Sequence, residues 1–97
     1  MASKKILKLE ISPRCQRQMK KLSPQQLESL KPFLKVLAQD PMIGVQKSGD
    51  LSRYRVYKFK LGKQLFLLAY YLSENVVHVV FLGSHENFYR DLKKHIK

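Results

Sequence analysis

Cysteine, glycine and acidic residues are all scarce in this 97-residue chain, which has one cysteine, four glycines and seven aspartates and glutamates. The lone Cys15 cannot form an internal disulfide, so a reducing, cytoplasmic location is expected. No apolar run approaches the ~20 residues that a membrane-spanning helix needs, and the first residues lack the apolar core of a signal peptide. The sequence therefore predicts a cytoplasmic protein that does not enter a membrane.

Motifs for several kinds of site are missing as well. The glycines are scattered, so no glycine-rich loop is present to cradle a phosphate. The histidines His78, His85 and His95 share no metal-ligand spacing with one another or with Cys15, and carboxylates are few. No Ser-His-Asp pattern can be identified. We expect neither a metal ion nor a cofactor.

Positive charge is abundant. Nineteen lysines and arginines oppose seven carboxylates, which gives a formal net charge of +12. Such an excess favours polyanionic partners, with nucleic acid as the first candidate. A ribosome or a small acidic protein also fits. A membrane surface fits less well, because no strongly amphipathic basic helix with a broad aromatic face is present.

The first half of the chain predicts a strand and two helices. Residues 6–11 alternate between apolar and polar side chains, as a half-buried strand does. Ser-Pro pairs at 12–13 and 23–24 supply a helix N-cap followed by proline at the first helical position. Asp-Pro at 40–41 ends the second helix. Two helices joined so closely form a hairpin that can cover one face of a sheet.

The second half predicts an antiparallel meander. Residues 42–48 are predicted to form a loop, and apolar side chains spaced by four from Glu86 onward predict a short C-terminal helix. Between them lie three strand-like segments with short connections, at residues 51–61, 64–72 and 76–82. We therefore expect one α+β domain over residues 1–97, with an N-terminal strand, a helical hairpin, an antiparallel meander and a short terminal helix.

The most versatile side chains follow the apolar run at residues 76–82, at the point where Gly83 breaks it. His85 carries an imidazole, a group that can give or take a proton at neutral pH. Tyr89 follows four residues later, so a helical turn places both on one side, where the phenol could stack on a base or donate to a phosphate. The alternative for Tyr89 is a helix residue that closes the core.

The segment at residues 54–60 interleaves aromatic residues with cations. Because residues two apart share a face of a strand, Arg55 belongs to one row, and Lys58 and Lys60 belong to the other, unless a bulge shifts the register. Either row offers cations that could hold a phosphate. A solvent-facing row of an antiparallel sheet is the alternative.

Taken in order, these segments resemble the RelE/ParE superfamily of small toxins from bacterial type II toxin–antitoxin modules. The resemblance includes the strand and helical hairpin, the Asp-Pro helix end, and the segments at 49–56, 67–70 and 83–89. It implies a compact α+β fold of the microbial RNase-like kind. RelE-like members are mRNA interferases that cut within the ribosomal A site, without a metal ion, and they inhibit translation. Their acidic antitoxins neutralise the basic surface in a hetero-oligomer.

The resemblance also assigns roles to residues. RelE-like members place basic residues on the strand that carries Arg55, Lys58 and Lys60. Arg55 and one of Lys58 or Lys60 match these positions and would hold the phosphate. YafQ-like members have a histidine and an aromatic residue four positions apart at the strand end. His85 matches the proton-transfer position, and Tyr89 matches the position that stacks on or orients the base.

One departure from the family pattern leaves other functions open. Many members carry an arginine on the next strand, where this chain has Leu67. ParE-like members share the fold, lack the RNase residues and inhibit DNA gyrase, so gyrase inhibition is one alternative. A non-catalytic nucleic-acid-binding domain is another.

Overall fold

The fold is α+β, as predicted, with one five-stranded sheet between helices. The computed structural model describes residues 6–95. Its elements are β1 Lys8–Ile11, α1 Pro13–Lys20, α2 Pro24–Gln39, β2 Val45–Gln46, a 3₁₀ turn Gly49–Leu51, β3 Arg55–Leu61, β4 Gln64–Ser73, β5 Val76–Ser84 and α3 Phe88–His95.

Both helix starts predicted from Ser-Pro pairs are confirmed. The Ser12 side chain accepts a hydrogen bond from the Cys15 N–H, which caps α1. At α2, Ser23 and Gln26 form a capping box in which each side chain bonds the other's backbone N–H. Asp40 ends α2. Local chemistry therefore sets where the hairpin begins and ends.

The strand order is β1-β5-β4-β3-β2. Strands β3, β4 and β5 are antiparallel, as expected, whereas β1 runs parallel to β5. The prediction of a plain loop at 42–48 is wrong in part, because β2 lies there and pairs Val45 with Val56. Two residues are too short for a hydrophobic period, so β2 depends on its pairing with β3.

A bulge in β5 decides which way the later residues of this strand point. Tyr70 pairs with Val79 and Ala69 pairs with Phe81, so Val80 is an extra residue. Before it, Val77 and Val79 pack against the α1–α2 hairpin; after it, Phe81 packs against α3. An extra residue turns every later side chain to the opposite face.

Each face of the sheet has its own core. We call the face covered by α1 and α2 the hairpin face, and the face covered by α3 the α3 face. Buried residues on the hairpin side are Cys15, Met19, Leu30, Leu37, Phe59, Leu61, Phe66, Leu68, Tyr70, Val77, Val79 and Leu82. Those on the α3 side are Leu51, Val56, Leu67, Ala69, Phe81, Phe88 and Leu92. Over residues 6–95, no helix has the length and apolar character to cross a bilayer.

Candidate active site

A cavity of about 140 Å³ opens on the α3 face, at the end of β5. We call it the cleft. It is lined by Val45, Lys47, Val56, Lys58, Leu67, His85 and Tyr89. Three of the residues predicted from the sequence, Lys58, His85 and Tyr89, therefore meet around one space.

Two adjacent rows of the sheet carry the charged side chains of the cleft. In one row Lys58 pairs with Leu67, which pairs with Gly83. In the next row Lys60 pairs with Leu65, and the Leu65 carbonyl accepts a hydrogen bond of 3.0 Å from the His85 N–H. Rows two residues apart on a strand are about 7 Å apart. Lys60 therefore stands at the rim of the cleft, on the same face as Lys58 and level with His85.

The β5 bulge explains why His85 reaches this face. Val77 and Val79 point to the hairpin face, and an unbroken alternation would send residue 85 the same way. The extra Val80 reverses the alternation, so Gly83 and His85 follow Phe81 onto the α3 face. The His85 side chain is exposed there.

Tyr89 enters the cleft from α3. Its neighbour Phe88 is buried against Phe81 and fixes the first turn of the helix, while Tyr89 is half-buried. The Lys47 Nζ lies 5.1 Å from the centroid of the Tyr89 ring, which is a cation–π distance. Lys47 thus adds a cation to the cleft.

Sequence reasoning missed Lys47, because it falls in the stretch predicted to be a loop. Its N–H bonds the Tyr54 carbonyl at 3.0 Å, which continues the ladder of β2 and β3 beyond Gln46. Residues two apart on a strand share a face, so the pairing of β2 with β3 puts Lys47 on the same face as Val45. That pairing could not be predicted from the sequence. No local pattern signals it.

Arg55 is not brought into the cleft. It lies on the hairpin face, beside Tyr70 on the neighbouring strand, and its Nη1 donates to Gln46 Oε1 at 3.3 Å. Its buried Nε has no hydrogen-bond partner among the described residues. Burial raises the pKa of the Tyr70 phenol, while the bond from the Gly44 N–H and the charge of Arg55 partly oppose that rise. The structure places Arg55 next to this buried phenol.

Leu67 forms the floor of the cleft. It is 2% exposed and lies between Lys58 and Gly83 in the same row. The position at which the RelE-like pattern has an arginine is therefore directly beside Lys58, one row away from His85. The apolar side chain of Leu67 leaves the floor of the cleft without a charge.

The cleft combines cations with a group that can transfer protons. Lys47, Lys58 and Lys60 can hold phosphate oxygens, and the imidazole of His85 can take or give a proton. Within residues 6–95, no group of three or more His, Cys, Asp or Glu side chains is placed to hold a metal ion. The arrangement suits the binding and cleavage of a phosphodiester.

Comparison with protein families gives one match over most of the chain. A family described as ParE-like toxin of type II bacterial toxin–antitoxin system matches residues 9–93. No curated protein sequence matches the chain.

Solved structures similar to this chain include several RelE toxins. A mutant of E. coli toxin RelE in the free state has a TM-score of 0.72 at 23% identity, over 96% of this chain and 100% of that one. A chain of the intact E. coli RelBE toxin–antitoxin complex has a TM-score of 0.65 at 27% identity, over 82% of this chain and 98% of that one. A chain of the RelBE2 toxin–antitoxin complex from Mycobacterium tuberculosis has a TM-score of 0.72 at 16% identity, over 81% and 98%.

Proposed function

This chain belongs to the ParE-like toxins of type II bacterial toxin–antitoxin systems. From the side chains that line its cleft, we propose that it is an endoribonuclease that cuts mRNA on the ribosome and so inhibits translation. One observation carries the proposal: Lys58, Lys60, His85 and Tyr89 converge with Lys47 on one face of the sheet. The likeness to solved RelE toxins above 25% identity supports it further.

The proposed reaction uses the 2′-hydroxyl of the RNA itself. A base removes the 2′-OH proton, and the oxygen attacks the adjacent phosphorus. The bond from phosphorus to the 5′ oxygen breaks, an acid protonates that oxygen, and the products are a 2′,3′-cyclic phosphate and a 5′-hydroxyl. Side chains alone can catalyse this sequence, without a metal ion.

His85 is the proposed proton-transfer residue. Its exposed imidazole stands at the rim of the cleft, level with Lys60, so it can reach a backbone laid across the two rows. A positioned acid or base contributes about 10²–10⁴-fold to a rate. Imidazole is the side-chain group best suited to exchange protons at the pH of the cytoplasm.

The cations stabilise the charge that develops on the phosphate. Lys58 lies in the row beside Leu67, Lys60 lies in the next row, and Lys47 approaches from β2. Fixed donors of this kind are often the largest single contribution to catalysis. Tyr89 lines the same space and orients the base. Arg55, on the opposite face, is proposed to support the fold beside Tyr70 rather than to hold the phosphate.

A small acidic antitoxin is the proposed protein partner. The net charge of +12 makes an acidic polypeptide a favourable ligand. Several similar solved structures are toxin–antitoxin complexes, including one from Pyrococcus horikoshii. We propose a toxin–antitoxin hetero-oligomer in the cytoplasm.

Gyrase inhibition is a second candidate, because of Leu67. An apolar residue on the cleft floor removes the central cation of the RelE-like pattern. The family description is also ParE-like. On this alternative the same basic surface binds a protein–DNA target without cleaving RNA.

Two parallel assays divide these functions. The purified chain is added to a cell-free translation reaction and, separately, to a gyrase supercoiling reaction. We expect translation to stop with new mRNA ends while supercoiling continues. Blocked supercoiling with intact mRNA would contradict the proposal in favour of gyrase, and tight RNA binding with neither effect would indicate a non-catalytic domain.

A matched pair of lysine variants links the activity to the cleft. Lys58→Ala is expected to slow RNA cleavage about 10²–10³-fold, the usual loss when one donor to a developing charge is removed. Lys35→Ala removes the same charge from an exposed position on α2 and should leave cleavage unchanged. Equal cleavage rates for the two variants would show that the cleft is not the site of RNA cleavage.

A further inference from the structure

We propose that a second surface, the groove between α1 and α3, binds the backbone of single-stranded RNA outside the cleft. The proposal rests on the proposed function only in taking RNA as the ligand. The α1–α3 groove consists of two adjoining cavities of about 320 and 310 Å³, which share Arg14, Arg17, Phe81 and His95. Lys21 and Lys94 also line the first cavity, and Tyr54 also lines the second.

The groove forms where α1 covers the part of the β5 edge that β1 does not pair with. Strand β1 pairs with β5 only as far as Val79. Beyond it, Ser12 Oγ donates to the Val80 carbonyl at 3.1 Å, and Gln18 Oε1 accepts from the Leu82 N–H at 2.8 Å. These bonds dock α1 on the sheet edge, so its basic side chains have a fixed position relative to α3.

Positive charge dominates the groove. Arg14, Arg17 and Lys21 line it from α1, and Lys94 lines it from α3. Among residues 6–95, Asp91 is the one carboxylate that lines these cavities, and it lies 3.7 Å from Arg90 Nε. Among the described residues, no carboxylate oxygen lies within 4.0 Å of Arg17, Lys21 or Lys94. Cations held together without acidic partners attract a polyanion.

Aromatic rings accompany these cations. The exposed His95 ring packs on Phe81 with centroids 5.2 Å apart, and Arg14 Nη1 lies 3.4 Å from its Nε2. Tyr54 is half-buried and braced edge-to-face by Tyr71 at 6.1 Å. A basic groove with an exposed ring, here that of His95, is the combination by which proteins bind single-stranded nucleic acids.

The groove is a different site from the cleft. Helix α3 joins them, with Tyr89 at the cleft and His95 at the groove, and eight helical residues span about 12 Å. One RNA, or two neighbouring segments of a folded RNA, can therefore occupy both. The groove would anchor RNA, and the cleft would act on it.

The test measures the affinity for a short 2′-O-methyl RNA oligonucleotide, which lacks the attacking hydroxyl. Fluorescence anisotropy gives Kd between about 50 and 200 mM KCl. The variant Arg14→Ala/Arg17→Ala/Lys21→Ala is compared with Lys20→Ala/Lys31→Ala/Lys35→Ala, which loses the same charge from exposed positions outside the groove. Thermal melts establish that both variants fold.

We expect the groove variant to bind at least about tenfold more weakly than the control. The slope of log K against log salt should fall by about 0.7 for each phosphate that the protein no longer neutralises, so about 2 for three phosphates. Equal affinities and slopes for the two variants would overturn the proposal. So would an unchanged RNA affinity with weakened binding of polyglutamate, used as an acidic polypeptide probe, which would make the groove a protein site. Because the probe is not cleaved, the result is independent of whether the chain is a ribonuclease.

Discussion

Tyr70 joins the sheet to the loop that follows α2. Its buried hydroxyl donates to the Pro41 carbonyl at 2.7 Å and accepts from the Gly44 N–H at 2.8 Å. A Cβ at residue 44 would lie 2.6 Å from the Tyr70 oxygen, so this close approach requires glycine. The loop leads into β2 and to Lys47, so a single hydroxyl helps to place a cation of the cleft.

Removal of that hydroxyl should cost stability. We expect Tyr70→Phe to lower the free energy of unfolding by about 1–3 kcal/mol, because a buried N–H and a carbonyl lose their partner. Urea denaturation measures the change. Tyr57→Phe is the control, at a half-buried tyrosine on the same face, and should change stability by less than about 0.5 kcal/mol. Equal losses for the two variants would contradict this account of Tyr70.

Cys15 gives the protein a pH-dependent stability at high pH. Burial in the hairpin-face core raises the pKa of its thiol from 9.0 to about 12. The folded state therefore keeps the proton at a pH where the unfolded state loses it. The stability that depends on this proton is fully present below pH 9 and falls as the pH rises toward 12.

The size of this effect can be measured by comparison with Cys15→Ala. At about pH 10, linkage predicts that the wild type loses about 1.4 kcal/mol through the thiol. The variant lacks this contribution, so its free energy of unfolding should fall less between neutral pH and pH 10. All other ionisable groups are common to both proteins, so their contributions cancel. The same pH dependence in both would show that the thiol is not protected by burial.

Sequence reasoning found part of the cleft and missed part. Lys58, His85 and Tyr89 could be named because each lies in or beside a strand whose pattern is clear. The alternation of β3 already separated Arg55 from Lys58, and the structure places them on opposite faces. Lys47 could not be found, because its position depends on pairing between segments that have no local period.

At the scale of elements, local signals predicted the helices and the three long strands. Capping residues marked the starts of α1 and α2, and short turns marked the meander, where Glu74 and Asn75 both take positive φ. The pairing of strands that are far apart in the chain could not be predicted from the sequence. The parallel contact of β1 with β5 and the bulge at Val80 depend on residues far apart in the chain.

The capping box of α2 offers a direct test at this scale. We expect Ser23→Ala to lower the free energy of unfolding by about 1 kcal/mol, because the Gln26 N–H loses its side-chain partner. Ser29→Ala, at an exposed position inside the same helix, should be neutral or slightly stabilising, since alanine favours helix. Thermal or urea unfolding of both variants measures the difference. Indistinguishable stabilities would argue against the cap.

Across the whole molecule, the two proposed RNA sites lie at opposite ends of α3. The cleft has Lys47, Lys58 and His85 at one end, and the groove has Arg14 and Lys94 at the other. The composition predicted a polyanionic partner. It could not predict that the basic residues form two separate sites, because a count of charges does not say where they lie in the fold. A chain with a net charge of +12 can therefore use different cations for anchoring and for chemistry.

The most direct test of the account is the mapping of transcript ends after brief induction of the toxin in cells. We predict new mRNA cuts with the wild type, and a loss of about 10²–10⁴-fold in cutting with His85→Gln. His78→Gln is the matched control, because His78 lies in β5 stacked on Tyr71, outside the cleft, and should leave cutting unchanged. Cutting by a folded His85→Gln protein at the wild-type rate, or no cuts with the wild type, would contradict the account.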